Sequence, residues 1–157
     1  MKVGRLTASD RASAGVYRDL SGPAIEESLA SIFPGEPLVY AARLLPDDRA
    51  GLERALIELA EVERCDLVLT TGGTGPTPRD VTPEATRAVI EREFPGFGEI
   101  MRVKSFDIAP TAILSRATAG LRGRTLIVNL PGSPNAVREC LATLGPALRD
   151  CVEHLRT

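Results

Sequence analysis

Four short apolar segments restrict the fold of this chain more than any other feature of its sequence. Two of them, Leu67–Thr71 and Thr125–Leu130, contain consecutive aliphatic residues without polar alternation. This pattern is typical of strands that are covered on both faces, as in parallel sheets with helices on each side. The four predicted strands are Lys2–Ser9, Leu38–Leu45, Leu67–Thr71 and Thr125–Leu130.

Segments with the spacing of amphipathic helices lie between and after these strands. Their predicted starts are Gly22-Pro23, Asp47-Asp48, Thr82-Pro83-Glu84, Ser133-Pro134 and Gly145-Pro146. Thr82 is expected to cap its helix with the hydroxyl group, and Pro83 suits the first helical position. The alternation predicts an α/β fold, a three-layer αβα sandwich around a mostly parallel central sheet. With 157 residues, the chain is expected to form a single domain, residues 1–157.

The segment Pro95–Arg124 does not follow this alternation. Glycines and prolines interrupt it, and only a short helix around Glu99–Phe106 is predicted there. Because about 30 residues are too many for a plain connection, we expect a lid or a small subdomain inserted around residues 95–124.

The charge and cysteine content argue against several functional classes. The chain has 19 basic and 21 acidic residues and a net charge of −2, so no basic surplus favours nucleic acid or an anionic membrane. No apolar run approaches the roughly 20 residues of a membrane helix, and no signal peptide is recognised. Cys65, Cys140 and Cys151 form no C-x-x-C pair, which argues against a disulfide framework or a zinc site. Three buried thiols in a cytoplasmic protein are expected instead.

Four polar loops follow the predicted strands, and in a parallel sheet ligands bind at the carboxyl ends of the strands. The loops are Ser9-Asp10-Arg11, Pro46-Asp47-Asp48, Thr71–Asp80 and Pro131-Gly132-Ser133-Pro134. In the third loop, Gly72-Gly73-Thr74-Gly75 could direct backbone N–H groups toward phosphate oxygens, or could form only a tight strand-to-helix turn. Neither a P-loop nor a G-x-G-x-x-G fingerprint is present.

Aspartates accompany these glycines. Asp47 and Asp80 belong to separate loops of the same predicted edge, with Asp10 and Asp48 near them. Carboxylates beside a phosphate-binding loop require a cation, and Mg²⁺ takes one or two protein carboxylates together with phosphate and water. The pattern therefore predicts a Mg–nucleotide site. Alternatively, Asp47 or Asp48 only caps a helix and Asp80 only forms a turn.

Nucleophilic catalysis finds little support in the sequence. The single histidine, His154, is three residues from the last residue, and neither G-x-S-x-G nor H-E-x-x-H is present. Phosphoryl or nucleotidyl transfer requires mainly positioning and charge neutralisation, so it is the reaction class that remains. Arg11, Arg79 and Arg116 are candidate phosphate contacts.

One long segment carries a resemblance to a known family. Thr70–Thr86, which reads TTGGTGPTPRDVTPEAT, resembles the signature of the molybdenum-cofactor biosynthesis proteins. Within that family the chain is most similar to the members that adenylylate molybdopterin. Further similar segments are Ser9–Ser13, Leu45–Asp47, Pro95–Glu99, Ala112–Arg116 and Asn129–Pro134. The resemblance therefore covers essentially the whole chain.

The resemblance implies Mg²⁺-dependent transfer of AMP from ATP to the terminal phosphate of molybdopterin, with release of pyrophosphate. It implies that Asp47 and Asp80 serve catalysis and bind the metal. The residues that it places around the nucleotide and its phosphates are Gly72, Gly73, Thr74, Gly75, Pro131, Gly132, Ser133, Ser9 and Asp10. It places Ser115, Arg116 and Thr82 beside the pterin. It also implies a homotrimer and a downstream molybdenum-inserting protein that receives the product.

Two other functions are compatible with the same residues. A non-catalytic carrier or scaffold protein would bind molybdopterin without needing Asp47 or Asp80. A phosphatase or nucleotide pyrophosphatase would hydrolyse a nucleotide with no acceptor present. The intact segment Arg79–Pro83 favours an active member of the family, and the intact acidic pair Asp47 and Asp80 argues against a carrier.

Overall fold

The computed structural model describes residues 1–157 and contains one six-stranded sheet in the order β2-β1-β3-β6-β5-β4. The strands are β1 (Lys2–Ala8), β2 (Val39–Leu45), β3 (Leu67–Thr71), β4 (Arg92–Glu93), β5 (Ala119–Arg122) and β6 (Thr125–Leu130). The first three and β6 pair in parallel, whereas β5 and β4 extend the sheet with antiparallel pairing. The four predicted strands are confirmed to within one residue at each end. β4 and β5 were not predicted.

Helices cover both faces of the sheet. They are α1 (Asp10–Ser13), α2 (Ser21–Ile32), α3 (Arg49–Ile57), α4 (Thr82–Val89), α5 (Pro95–Phe106) and α6 (Pro134–Arg156), with a π-helical turn at Glu58–Val62 and a 3₁₀ turn at Pro110–Leu114. One apolar core lies between the sheet and α2, α5 and α6, and a smaller one lies between the sheet and α3 and α4. The predicted three-layer αβα sandwich is therefore confirmed.

Several helices start beside a side chain that accepts a hydrogen bond from one of their first backbone N–H groups. Ser133 occupies the N-cap position of α6, as the sequence predicts, and Asp48 occupies that of α3, where the sequence left the choice between Asp47 and Asp48 open. α2 begins at Ser21, one residue before the predicted start. The Asp19 carboxylate accepts hydrogen bonds from the backbone N–H groups of Ser21 and Gly22, at 3.1 and 3.0 Å, and so supplies the cap.

The C-terminal segment is one helix rather than two. A second helix was expected after Gly145-Pro146, but α6 continues through Pro146 to Arg156. Leu141, Leu144 and Leu148 lie on one buried face of α6. Because this continuous apolar face packs on the sheet, burial outweighs the backbone hydrogen bond that proline cannot donate.

Residues 95–124 divide into two structures. The helix there starts at Pro95, four residues before the predicted helix, and packs with the 3₁₀ turn over α6. Only this part, Pro95–Leu114, lies outside the sheet as a lid or small subdomain would. The remainder includes β5, which pairs with β6 inside the sheet.

A buried polar network holds α4 on the sheet. The Asn129 amide donates to the hydroxyl oxygens of Thr70 and Thr86, at 3.1 and 2.8 Å. Its oxygen accepts from the backbone N–H of Thr118 at 3.2 Å. Because a buried amide left unpaired costs about 1–3 kcal/mol, this network fixes α4 and the glycine loop before it.

The cysteines and the histidine have no catalytic environment. Cys65 and Cys140 are buried, Cys151 is half-buried, and all three are free thiols. Burial raises the pKa of the Cys65 thiol to about 11, so this group stays protonated. His154 is exposed in the last turn of α6. None of the helices is both long and apolar enough to cross a lipid bilayer.

Candidate functional site

Four loops open at one edge of the sheet because the parallel strands end in register. Ala8 pairs with Leu45, Thr7 with Thr71, and Thr71 with Leu130, so the loops that follow these strands meet. The glycine loop, Gly72–Gly75, lies at the centre of this edge, after β3. The structure thus brings together the loops that the sequence predicted to converge.

The first two glycines are required by both the turn and its neighbours. Gly72 and Gly73 have φ angles of +89° and +68°, in the left-handed region that favours glycine. A Cβ on Gly72 would lie 2.3 Å from the carbonyl oxygen of Ala8. A Cβ on Gly73 would lie 2.3 Å from Thr82 Oγ1 and 3.0 Å from Asp47 Oδ1. The glycines therefore form the tight turn, and the absence of a side chain at Gly73 also leaves space beside Thr82 Oγ1 and Asp47 Oδ1.

Asp47 and Asp10 hold each other in a reciprocal pair. The backbone N–H of Asp10 donates to Asp47 Oδ2 at 3.1 Å, and the backbone N–H of Asp47 donates to Asp10 Oδ1 at 3.0 Å. Asp48 is the helix cap, since its carboxylate accepts from the backbone N–H of Gly51 at 2.8 Å. The cap is therefore supplied by Asp48, and Asp47 is left for another role.

Two buried polar atoms beside Gly73 have no hydrogen-bond partner: Asp47 Oδ1 and Thr82 Oγ1. Burial, with the nearby negative charges of Asp10 and Asp80, raises the pKa of the Asp47 carboxyl group. The prediction that the Thr82 hydroxyl caps α4 is wrong, because Thr82 is the first helical residue and its hydroxyl makes no hydrogen bond. Thr82 Oγ1 and Asp47 Oδ1 instead lie on either side of the space that a Cβ on Gly73 would fill. Buried polar atoms are rarely left unpaired, so the space beside this pair is a candidate position for a ligand atom.

Asp80 lies at the other end of the glycine loop and closes a turn. Its Oδ2 accepts from the backbone N–H and the hydroxyl of Thr77, at 3.0 and 2.7 Å. The same oxygen would lie 3.0 Å from a Cβ on Gly75. Asp80 is therefore a turn former, as the alternative interpretation held, and it also lies against the glycine loop with its Oδ1 uncommitted.

The three candidate arginines have different environments. Arg79 donates from Nε and Nη2 to the two carboxylate oxygens of Asp10, at 3.0 and 2.9 Å. Arg116 donates to the carbonyl oxygens of Gly75 and Asp80, at 2.9 and 2.8 Å, and pairs with Glu84. Arg116 therefore braces the glycine loop with its whole guanidinium group. Arg11 is exposed on α1 and makes no side-chain hydrogen bond.

A polar cleft of about 440 Å³ lies on one side of the glycine loop. Its lining includes Thr7, Ser9, Tyr17, Asp19, Asp47, Gly72, Gly73 and Gly132. Ser9 caps α1, and its hydroxyl lies 2.9 Å from Tyr17 Oη. The Ser21 hydroxyl donates to the Gly132 carbonyl oxygen at 2.6 Å and fixes the fourth loop. Ser133 lies in an adjoining hollow rather than in this cleft.

An apolar cleft of about 330 Å³ lies on the other side of the same loop. Its lining includes Thr74, Gly75, Met101, Arg102, Ile108, Leu114, Ser115, Pro131 and Cys140. More than half of the residues that line the whole cleft come from α5, the 3₁₀ turn and α6. The family resemblance implies that Ser115, Arg116 and Thr82 lie beside the pterin. Only Ser115 lines this cleft, whereas Arg116 braces the glycine loop and Thr82 faces Gly73.

The residues at the loop edge fit a hydrated divalent cation rather than a closed protein cage. Nowhere do three or more histidine, cysteine or acidic side chains gather in a metal-binding arrangement. One unpaired oxygen of Asp47, with Asp80 across the loop, matches a cation that takes most ligands from phosphate and water. A further cleft of about 500 Å³ lies at the opposite edge, lined by Arg64 and Arg124 among others, and includes none of the predicted site residues.

Several candidate residues have no simple sequence signal. The partners Arg79 and Asp10 are 69 positions apart, and no local pattern indicates their pairing. Met101, Ile108 and Leu114 belong to the segment for which the sequence predicts little. Asp19 could have been recognised, since it directly precedes the Leu20-Ser21-Gly22-Pro23 start of a helix.

Comparison with known proteins gives consistent matches over almost the whole chain. A family described as a probable molybdopterin binding domain matches residues 4–150. Molybdopterin adenylyltransferase of Helicobacter pylori (strain J99) is 52% identical over 151 residues, which are 96% of this chain and 85% of that protein. The protein of the same name from Escherichia coli (strain K12) is 49% identical over 98% of this chain and 78% of its own length. The crystal structure of the molybdopterin biosynthesis enzyme MoaB from Thermus thermophilus matches with a TM-score of 0.88 and 45% identity, covering 98% of this chain and 95% of that one.

Proposed function

This chain belongs to the family of probable molybdopterin binding domains, and on that basis we propose that it is a molybdopterin adenylyltransferase. The enzyme transfers AMP from ATP to molybdopterin. An oxygen of the terminal phosphate of molybdopterin forms a bond to the α-phosphorus of ATP. The bond from that phosphorus to the α,β-bridging oxygen breaks, and pyrophosphate leaves with the electron pair.

One observation carries the assignment of substrates to sites: the two clefts meet at the glycine loop. Gly72 and Gly73 face the polar cleft, and Thr74 and Gly75 face the apolar cleft. We place the nucleotide in the polar cleft and the pterin rings in the apolar cleft. The phosphates of both substrates then lie against the loop between them, which is where an attacking phosphate and an α-phosphate must meet.

Asp47 and Asp80 are the residues that would hold Mg²⁺, one at each end of the glycine loop. Bound there, the cation supplies neutralisation of the charge on the phosphates. The Asp47 carboxylate requires such a partner, because its buried Oδ1 is otherwise unpaired. Asp10 fixes the orientation of Asp47 through their reciprocal hydrogen bonds.

The other site residues bind and orient the substrates. Ser9, Asp10 and Gly132 contribute to the nucleotide side. Ser133 caps the amino end of α6, where the positive end of the helix dipole favours phosphate. Thr82 directs its unpaired hydroxyl toward a phosphate or a metal-bound water near Gly73.

On the pterin side, Ser115 is available to hydrogen-bond the rings. Arg116 contributes indirectly, because it holds Gly75 and Asp80 in place through their carbonyl oxygens. Pro131 lies where the two clefts approach each other, since it lines the apolar cleft and its neighbour Gly132 lines the polar one.

The wider assignments follow from the same proposal. Residues 1–157 act as one domain, in the cytoplasm, where molybdopterin and ATP are the small-molecule substrates. We place the chain in a homotrimer, and we expect a molybdenum-inserting protein to receive the adenylylated product. Exposed apolar residues on α5, such as Val103 and Phe106, support contact with another chain.

The test is pyrophosphate release from Mg–ATP with and without molybdopterin. The wild-type protein is expected to release pyrophosphate only when molybdopterin is present. Asp47→Asn and Asp80→Asn should each lower kcat by about 100-fold or more, since removal of one electrostatic contact to the transition state has effects of this size. Asp150→Asn, an exposed change on α6, should leave the rate unchanged.

Two outcomes would assign a different function. Tight molybdopterin binding without turnover, unaffected by Asp47→Asn, would indicate a carrier or scaffold protein. Steady hydrolysis of ATP without molybdopterin would indicate a phosphatase or nucleotide pyrophosphatase.

A further inference from the structure

We propose that Arg79 neutralises Asp10 in the substrate-free protein, and that its side chain moves to the polyphosphate when a divalent cation binds. The proposal rests on the proposed function, since it concerns the site for Mg–ATP. The sequence indicates Arg79 only as a candidate phosphate contact, and neither the sequence nor the comparisons indicate its transfer from Asp10 to the polyphosphate.

The first step is the geometry of the ion pair. The guanidinium group of Arg79 lies in a two-point contact with Asp10, through Nε and Nη2. Such bidentate pairs are the strongest arrangement that arginine forms with a carboxylate. Since Asp10 is itself in the reciprocal pair with Asp47, the positive charge of Arg79 acts on the carboxylate that the metal needs.

The second step is the charge of the site. Asp10, Asp47 and Asp80 surround the glycine loop, and Asp47 has an unpaired buried oxygen. Arg116 is committed to Gly75, Asp80 and Glu84, so it cannot neutralise them. Arg79 is therefore the basic side chain that balances these carboxylates in the absence of ligands.

The third step is mobility. The backbone around Arg79 is fixed, because the N–H of Asp80 donates to the carbonyl of Thr77 and the Asp80 carboxylate accepts from Thr77. The Arg79 side chain is 67% exposed, so it can change rotamer without any movement of the loop. A divalent cation repels the guanidinium group and attracts the same carboxylates, whereas a polyphosphate attracts it. Arg79 then binds phosphate oxygens, for which its geometry is suited.

The test measures two binding constants that this role moves in opposite directions. Binding of Mn²⁺ to the substrate-free protein is titrated by electron paramagnetic resonance. Binding of α,β-methylene-ATP with Mg²⁺ is measured by calorimetry. In Arg79→Gln, Mn²⁺ should bind up to about fivefold more tightly, the range of an exposed ion pair. The nucleotide analogue should bind about tenfold or more weakly, as expected for loss of a charged contact to phosphate.

Matched variants separate this role from a structural one. Arg87→Gln removes an arginine of a comparable exposed pair, with Glu93 on β4, and should change neither constant. Arg79→Lys keeps the charge and should restore most of the nucleotide affinity. In an Asp10→Asn background, Arg79→Gln should no longer improve Mn²⁺ binding, since its competing partner is gone.

Unchanged or weaker Mn²⁺ binding in Arg79→Gln would overturn the proposal, as would no detectable Mn²⁺ binding by that variant. Unchanged nucleotide affinity would overturn the transfer of Arg79 to the phosphates. Neither readout requires turnover. Absence of adenylyl transfer in the wild-type protein would instead contradict the proposed function, so the two failures can be told apart.

Discussion

The polar cleft and the apolar cleft share the glycine loop but are built in different ways. The polar cleft is formed by loops that follow β1, β2, β3 and β6, whose ends are in register. Its key features are the tight turn at Gly72 and Gly73 and two unpaired oxygens beside it. The apolar cleft is formed mainly by side chains of α5, the 3₁₀ turn and α6, which lie outside the sheet.

The difference indicates how the two halves of the reaction are fixed. With the substrates placed as we propose, chemistry on the phosphates depends on backbone positions at the end of the sheet, so small changes there should have large effects on rate. Recognition of a ring depends on several replaceable apolar contacts, so changes there should have moderate effects on affinity. The following variants test whether the two clefts differ in this way.

Gly73→Ala should have the largest effect. The new methyl group would lie between Asp47 Oδ1 and Thr82 Oγ1, in the space that we assign to a ligand atom. We expect kcat/KM for ATP to fall by about 100-fold or more, the size of effect seen when a transition-state contact is removed. Steady-state assays of pyrophosphate release measure this loss.

Gly35→Ala is the matched control for backbone strain. Gly35 has a φ of +78°, close to that of Gly73, but a Cβ there meets nothing within 4 Å. Gly35→Ala should lose about 1 kcal/mol in urea unfolding from backbone strain alone. Gly73→Ala should lose more, because its Cβ also meets Thr82 Oγ1, and only Gly73→Ala should lose activity. Equal loss of activity in both would show that strain, and not the filled space, is responsible.

Leu114→Ser should have a smaller effect, confined to the other cleft. Leu114 lines the apolar cleft and is 50% exposed, so the fold should tolerate the change. Loss of its apolar contact should raise KM for molybdopterin by about tenfold and leave ATP binding unchanged. Ile113→Ser, on the same 3₁₀ turn but outside the cleft, should change neither constant. A change in ATP affinity in Leu114→Ser would contradict the separation of the two clefts.

Asp47→Asn should have the smallest effect on stability, and the effect should be favourable. Burial raises the pKa of Asp47, so its ionised form opposes folding at neutral pH. Asn removes this charge, and because the group is partly exposed and screened, we expect a gain of only about 0.5 kcal/mol at neutral pH.

The pH dependence of this gain follows from the same shift. The protonated form of Asp47 favours the folded state, and that contribution is lost as the pH rises through the raised pKa. The difference between variant and wild type should therefore shrink as the pH falls from about 7 to about 4. Urea unfolding at both pH values measures this difference. If Asp47→Asn is instead less stable than the wild type at about pH 7, and that deficit shrinks at about pH 4, Asp47 is stabilised as a carboxylate.

The sequence predicts best those features of the fold that depend on residues close together along the chain. The parallel strands, a helix that starts at Asp47-Asp48 and the cap at Ser133 follow from apolar runs and short polar motifs, and all are present. The convergence of Asp47, Asp80 and the glycine loop follows from the rule for parallel sheets and is also present. Their roles with metal and substrate remain predictions.

Other features depend on contacts distant in sequence, which local patterns do not encode. α6 continues through Pro146 because its packing on the sheet outweighs a local break. The Thr82 hydroxyl is left unpaired by its position beside Gly73, although its sequence context is that of a cap. The apolar cleft arises where α5 and the 3₁₀ turn meet α6, and the short strand β5 is visible only through its pairing with β6.

The most direct measurement of the central claim is a crystal structure of the protein with Mn²⁺ and α,β-methylene-ATP, in which anomalous scattering locates the cation. We predict the cation within coordination distance of Asp47 Oδ1, with the phosphates against Gly72 and Gly73. A nucleotide seated in the apolar cleft or at Arg64 and Arg124 on the opposite edge, with no cation near Asp47, would contradict the account.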